Sequence, residues 1–301
     1  MARRRGAWSV TAESGGESVL ARLRATFPES SGRRVRLWLA AGRVRVGGRV
    51  VRDARATVGP GEAVAVTPHG EPRFPASLRL IHEDDDLVVI DKPPGLLTVG
   101  TERERTRTAY RLLRDYLAAQ HPPRRPFVVH RLDRETSGVL VVAKSVAAKQ
   151  HLQAQFAART VERGYVALVE GAVRAAHGTL ESTLVQDRGL RVRSSRDATA
   201  RPDAPGRRAI THYRIVGRGR DTTLLELALE TGRRRQIRAQ LAAHGHPIVG
   251  DAAYGSRRDP LRRLCLHATR LAFTHPATGR RVAFESPVPP TIARAGSGQR
   301  A

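Results

Sequence analysis

The sequence predicts an α+β protein in which a small αβ domain precedes a larger domain with a mixed, mostly antiparallel sheet flanked by helices. Three observations carry this. The length of 301 residues suits about two domains. Runs of strand character outnumber helical runs and follow them in irregular order, unlike the strict alternation of a doubly wound fold. The segment EPRFP, Glu71 to Pro75, sets two prolines directly after an alternating apolar run, which marks a linker. The expected boundaries are a basic tail over 1–15, a small domain over 16–70, the linker over 71–76, the larger domain over 77–290 and a second tail over 291–301.

Taken in order, Val19, Leu20, Leu23 and Phe27 have helical spacing, and Val35, Leu37, Trp38 and Leu39 begin a second short helix. GRVRVGGRVV, Gly42 to Val51, alternates around Gly47-Gly48 as a hairpin does, and VGPGEAVAV closes with a strand over Val58 to Val66. Beyond the linker, strands are expected at Leu78–His82, Leu87–Ile90, Phe127–Leu132, Val139–Ala143, Tyr165–Val169, Ile210–Val216, Thr223–Leu229, Arg270–Thr274 and Arg281–Glu285. Between them, Thr108 to Gln120 has one apolar face. Ser145 is a candidate cap for a helix running to about Ala157, and Thr231 for one ending at Gly245.

The charge is far from balanced, with 53 basic against 28 acidic side chains and a net charge of +25. Only Lys92, Lys144 and Lys149 are lysines, so the rest is arginine, which binds phosphate bidentately and stacks on bases. A polyanionic partner and genomic composition bias both fit this excess, but bias does not explain the scarcity of acids. One cysteine, Cys265, excludes an intramolecular disulfide and suits a reducing cytoplasm. No apolar run approaches the ~18 residues of a membrane span, so no membrane partner is expected. Asp84 to Asp86 fit a hairpin turn better than a metal site, and neither His244 with His246 nor Cys265 with His267 supplies four ligands at finger-like spacing.

Chemistry concentrates in FVVHRLDRETSGVLVVAKS, Phe127 to Ser145, where a polar turn joins two apolar strands. Asp133 stands at the lip of that turn between Arg131 and Arg134. An ionised carboxylate there is a candidate nucleophile, or equally a turn cap paired on the surface. Nine residues decide between these: HRLDRETSG resembles the signature turn of the RluA-type RNA pseudouridine synthases. The resemblance extends to LRLIHEDDDLVVIDKPPGLLT before it, to RGYVALVEG after it, and to TGRRRQIR with GHPIVGDAAYG beyond. Together these blocks run in family order from Leu78 to Gly255. Departures are Val99-Gly100, Gly164 before the tyrosine, Arg235 before QIR, and Ala239-Gln240 after it.

The resemblance implies a pseudouridine synthase fold and an isomerase. Asp133 is then the catalytic residue, Arg238 its ion-pair partner fixing its rotamer, and Tyr165 the residue packed on the target base and assisting loss of the C5 proton. Arg131 would hold the gap left by a flipped uridine, and Arg134, Arg233, Arg234, Arg235 and Gln236 would contact RNA. The front segment resembles the S-four-type RNA-binding module first seen in a ribosomal small-subunit protein. With 14 basic against 6 acidic residues, 1–76 carries a net charge of +8. The expected partner is RNA, ribosomal ahead of transfer RNA. No cofactor or metal is expected, the protein is expected to be a cytoplasmic monomer, and a non-catalytic structured-RNA-binding protein is the competing reading.

Overall fold

The computed structural model describes residues 8–11, 16–68, 70, 72–120, 122–186, 192–194 and 206–297. The chain divides into two compact units: Met1–Pro75 with Arg114–Arg124, and Ala76–Leu113 with Arg125–Ala301.

The smaller unit contains β1 (Trp8–Thr11), β2 (Glu17–Ser18), α1 (Val19–Thr26), α2 (Gly32–Ala40), β3 (Val44–Val46), β4 (Arg49–Val50), β5 (Thr57–Val58) and β6 (Ala63–Val66). Its four-stranded sheet runs β1-β6-β3-β4, and β2 pairs β5. Ser18 caps α1 and Ser31 caps α2, their hydroxyls accepting from Ala21 N at 3.2 Å and Arg34 N at 3.3 Å. Gly47 and Gly48 both have positive φ, 54° and 80°, as the two-residue turn of a tight hairpin demands. Val19, Leu23, Val35, Trp38, Val44 and Val64 form a core of their own. One expectation is corrected. The 1–15 segment is not all tail, because Trp8–Thr11 pairs antiparallel with Ala63–Val66. Leu37 lies in α2 as expected and faces solvent, 60% exposed, since Trp38 and Leu39 take the core side.

The larger unit contains β7 (Arg79–Glu83), β8 (Leu87–Lys92), β9 (Phe127–Val128), β10 (Ser137–Ala143), α4 (Val146–Ala158), β11 (Glu162–Glu170), β12 (His177–Gln186), β13 (Val192–Ser194), β14 (Arg207–Arg218), β15 (Thr222–Leu229), α5 (Gln236–Ala243), β16 (Leu266–Thr274), β17 (Arg281–Glu285) and α6 (Pro290–Gly296); α3 is Ala109–Ala118. The sheet runs β13-β12-β14-β15-β11-β16-β10-β8-β7, with β17 on β16 and β9 on β10. Its strand pairs are antiparallel except β10 with β16, which run parallel at Ser137↔His267 and Gly138↔Ala268. The fold is therefore α+β with a mixed, mostly antiparallel sheet. Asp84 has a turn role: its Oδ1 accepts from Asp86 N and Leu87 N, both at 2.8 Å, closing the β7–β8 hairpin.

The parallel crossing of β10 and β16 is the hinge of the architecture. Gly138 has φ +115°, and a Cβ there would lie 2.1 Å from Ala268 O. Only glycine lets the two backbones approach this closely. On one side Leu87, Val89, Val139, Val141, Leu152 and Phe273 pack between β8, β10, β16 and α4. On the other, Val166, Leu168, Leu225, Ile237, Leu241 and Ile292 pack between β11, β15, α5 and α6.

Four sequence expectations change here. The strand expected over Phe127–Leu132 stops at Val128, and the rest of the segment becomes the turn into β10. The strands β12 and β13 were not expected. Ser182 lies buried among the inward positions of β12, so the apolar alternation is broken by a hydroxyl. Thr231 caps no helix; α5 begins only at Gln236, and the Thr231 hydroxyl instead accepts from Ile210 N at 2.8 Å and meets Gln236 Oε1 at 2.8 Å. The segment expected as a tail over 291–301 includes most of α6, whose Ile292 is fully buried.

Candidate active site

The polar turn between β9 and β10 is clamped from beneath. Thr98 brackets Leu132, donating its hydroxyl to Leu132 O at 2.8 Å and accepting from Leu132 N at 3.2 Å. Lys92, with no exposed surface, donates to Pro93 O at 2.9 Å, Leu96 O at 2.8 Å and Arg134 O at 3.2 Å. Burial pushes its ammonium down to about 8, opposed by the charges of Glu135 and Asp133. His130 Nε2 accepts from Val141 N at 3.1 Å and its ring stacks on Phe156. The flanking Leu132 and Thr136 are buried, which leaves Asp133, 20% exposed, at the mouth of a cleft. The expected turn is thus a rigid pedestal, and its supports Lys92 and Thr98 come from the KPPGLLT segment.

Arg238 reaches Asp133 from α5. Its Nη1 lies 3.3 Å from Asp133 Oδ2 and 3.5 Å from Glu135 Oε2. Its other edge is held by Asp251, with Nε to Oδ2 and Nη2 to Oδ1 both at 2.7 Å. This bidentate fork leaves one nitrogen aimed at Asp133. Burial disfavours the guanidinium charge, but Asp251 first, then Asp133 and Glu135, more than offset it and raise its pKa. The Tyr254 ring lies 5.0 Å from the guanidinium carbon and covers it. Sequence reasoning missed Asp251. The available signal was an acid inside GHPIVGDAAYG, at a position that the structure shows to be fully buried.

Asp133 opens on a cleft of about 230 Å³ that Arg131, Tyr165, Leu229, Gly232, Arg233, Arg234, Arg235 and Arg238 also line. Burial pushes the Tyr165 phenol up to about 12; Asp133 adds to this and Arg163 opposes it. The phenol therefore stays protonated at neutral pH, and its hydroxyl has no hydrogen-bond partner among the described residues. Arg131 and Arg234 likewise make no hydrogen bond or ion pair among those residues. Arg233 donates from Nε only to Arg208 O, at 3.4 Å. Arg235 holds a left-handed backbone at φ 53° immediately before α5, a strained conformation for a residue with a Cβ.

Two expected RNA contacts stand apart from the others. Arg134 does not line the cleft; its Nε donates to Gly95 O at 3.1 Å. Gln236, at 2% exposure, is a brace. Its amide oxygen takes Thr231 Oγ1 at 2.8 Å and Arg233 N at 3.0 Å, and its nitrogen donates to Ile210 O and Thr211 Oγ1, both at 2.9 Å. With every polar position used inside the fold, its amide has nothing left to offer a base or phosphate. Gln240 continues the brace one turn on, donating to Leu180 O and Ala209 O and accepting from Thr211 Oγ1. The pair pins α5 against β12 and β14 and so fixes Arg238.

A buried, doubly anchored arginine thus meets an aspartate at the floor of a cleft lined by further arginines. Comparison with known proteins names the group. The family model described as RNA pseudouridylate synthase matches residues 86–243, from the β7–β8 turn to the end of α5. The RNA pseudouridine synthase YlyB of Bacillus subtilis is 35% identical over 280 residues, covering 90% of each chain. The ribosomal large subunit pseudouridine synthase D of Vibrio cholerae is 34% identical over 283 residues, covering 87% of this chain and 85% of its own. Among solved structures, human RNA pseudouridylate synthase domain containing 1 superposes with a TM-score of 0.59 at 26% identity, over 73% of this chain and 88% of that one. The chain belongs to the RNA pseudouridylate synthase family, in its RluA-type branch, and is an isomerase.

Proposed function

We propose that the protein converts a uridine of large-subunit ribosomal RNA to pseudouridine, with Asp133 as the catalytic residue. The observation that carries this is the Asp133–Arg238 pair at 3.3 Å, opening into a cleft with four further arginines on its wall. The target uridine leaves its stack and enters the cleft, with Arg131 filling the space behind it and Arg233, Arg234 and Arg235 meeting the backbone. Asp133 then attacks the ribose, either at C1′ or by taking a ribose proton to give a glycal. Both routes break the N1–C1′ bond, let uracil turn within the cleft and join C5 to C1′, which releases the Asp133 carboxylate from C1′ on the first route and returns the ribose proton on the second. The C5 proton is lost and a proton ends on N1, so the product is an isomer of the reactant.

Arg238 keeps one carboxylate oxygen fixed, so the other presents its lone pairs to the sugar without a rotamer search. Tyr165, protonated at neutral pH, packs on the base and positions the group that removes the C5 proton. The smaller unit supports the ribosomal target: the solvent face of α2 carries Arg33, Arg34 and Arg36, and Arg49 on the hairpin is exposed as well. We assign it the role of an S-four-type RNA-binding module. The large-subunit synthase names borne by relatives favour the same target.

The test is carbodiimide-stop primer extension on large-subunit ribosomal RNA and transfer RNA from a strain lacking the gene, treated with wild-type protein or Asp133→Asn. A new stop in ribosomal RNA with wild type alone is expected. A stop only in transfer RNA moves the substrate. Identical empty maps for both proteins leave an RNA-binding protein without activity.

A further inference from the structure

Behind Tyr165 lies a second cavity, of about 380 Å³, which shares Arg131, Tyr165, Leu229, Gly232 and Arg233 with the catalytic cleft as a common wall. Its far side is made by Phe156, Arg159 and Arg163, so four arginines face one space. Arg163 and Tyr165 are two residues apart on β11 and share its cleft-side face. The carboxylate recorded against these arginines is that of Glu230, 42% exposed, which sits 3.6 Å from Arg159 and is shared with His212 at the same distance. Arg163 has no carboxylate partner among the described residues. Its Nη2 reaches only the main-chain oxygens of Leu229 and Glu230, at 3.4 and 3.0 Å, and its buried Nε has no hydrogen-bond partner.

The arrangement is costly as it stands. Burial, then the neighbouring charges of Arg159 and Arg233, lower the Arg163 pKa, with Tyr165 opposing. Arg159 also sits in a left-handed backbone, φ 59°, where a Cβ is disfavoured. Gly232 makes room for the charge: a Cβ at that position would lie 2.0 Å from Arg163 Nη1. Like charges gathered around an unpaired, partly desolvated guanidinium are relieved by an anion between them, and the geometry suits the oxygens of a phosphate.

We infer that Arg159, Arg163 and Arg233 form a seat for one backbone phosphate of the RNA, next to the nucleotide flipped into the Asp133 cleft. This deepens the proposed activity and rests on it for the source of the phosphate. A phosphodiester fits better than a free anion because the seat shares a wall with the catalytic cleft, Tyr165, Leu229 and Gly232 among its residues. A strand delivering a base to one side has its backbone at hand for the other.

The experiment reads binding without turnover. In an Asp133→Asn background, the affinity for a uridine-bearing single-stranded RNA of about 20 nucleotides is followed by fluorescence anisotropy over a series of KCl concentrations. Arg163→Gln and Arg159→Gln are each expected to flatten the plot of log affinity against log salt by about 0.7, the share of one phosphate on a single strand. Arg163→Lys is expected to recover most of it. With Asp133 intact, the Gln variants raise KM about tenfold and leave kcat within about twofold. Circular dichroism melting checks folding, and the exposed Arg159 variant carries the test if Arg163→Gln unfolds. Unchanged slopes in folded variants overturn the seat. So does thermal stabilisation by inorganic phosphate that Arg163→Gln abolishes while the RNA slope stays fixed, which would assign a free phosphate. An empty pseudouridine map with a flattened slope removes the activity and keeps the seat. A normal map with unchanged slope and KM does the reverse.

Discussion

At the residue scale, the site depends on how charge is compensated around Arg238. In the proposed reaction Asp133 has to remain available to substrate, so it cannot be the group that satisfies a buried guanidinium. Asp251 performs that task from within the fold, with both oxygens at 2.7 Å. Asp251→Asn is expected to let Arg238 turn fully onto Asp133, lowering kcat by about 10²-fold while the RNA affinity stays near wild type. A variant with normal kcat would show that the second carboxylate does not position the first. Tyr165→Phe keeps the ring and removes the hydroxyl, so KM should hold while kcat falls at least about 10²-fold. Equal kcat would reduce Tyr165 to a packing surface.

His130 gives a pH dependence with a definite sign. Burial, then the charge of Arg163, pushes its imidazole down to about 3, and its Nε2 accepts a backbone hydrogen bond that a protonated ring could not. Between pH 6.5 and about 3 the unfolded chain therefore holds a proton that the folded chain refuses. Stability from this group falls as the pH drops through that window, by at most about 1.4 kcal/mol per pH unit. Urea melts from pH 7 to 5 should show the loss, and His130→Leu should flatten it; an identical slope in the variant would trace the loss elsewhere.

At the element scale, the parallel meeting of β10 and β16 controls where Asp133 stands. Gly138→Ala would press a methyl onto the Ala268 backbone and force a left-handed φ of 115° on a residue with a Cβ. A loss of about 3 kcal/mol or more is expected, with the transition midpoint in urea as the measure. A neutral result would mean that the two strands can separate without moving the turn. The element scale also shows where sequence patterns stop being informative. Ser145 was legible as a cap because capping is local, and its hydroxyl does accept from Ala148 N at 3.1 Å. Thr231 had the same local signature before α5, yet its hydroxyl is spent on Ile210, 21 residues away in sequence. The resemblance made Gln236 an expected RNA contact, whereas its amide nitrogen is spent on Ile210 and Thr211 of β14, about 25 residues away and invisible to spacing. β12 escaped notice because Ser182 occupies a core position, acceptable only because Gln240 donates to its hydroxyl at 3.2 Å.

At the scale of the whole molecule, each of the two units has a separate core, Val19, Leu23, Val35 and Trp38 in one, the β11–β15–α5 and β8–β10–α4 clusters in the other. Separate cores favour separate melting. Both tryptophans, Trp8 and Trp38, fall within the smaller unit, so their fluorescence reports that unit while far-ultraviolet circular dichroism reports the entire chain. The two probes are expected to give different midpoints in guanidinium. Coincident curves would mean that the chain unfolds as a single cooperative body.

The family was legible in the sequence alone, and Asp133 stood out as the candidate nucleophile, because a reactive turn needs a contiguous run of residue types and HRLDRETSG is such a run. The net charge of +25 likewise pointed to a polyanion before any fold was known. Tertiary structure decided which charges belong to the site. It withdrew Gln236 into the core, turned Arg134 onto Gly95 and set the buried Asp251 beneath Arg238. It also brought Arg159, 26 residues beyond Asp133 in the sequence, and Arg163 to the far side of Tyr165. Spacing along one chain shows what a segment could do. Whether a polar group is free to do it depends on partners brought near only by folding.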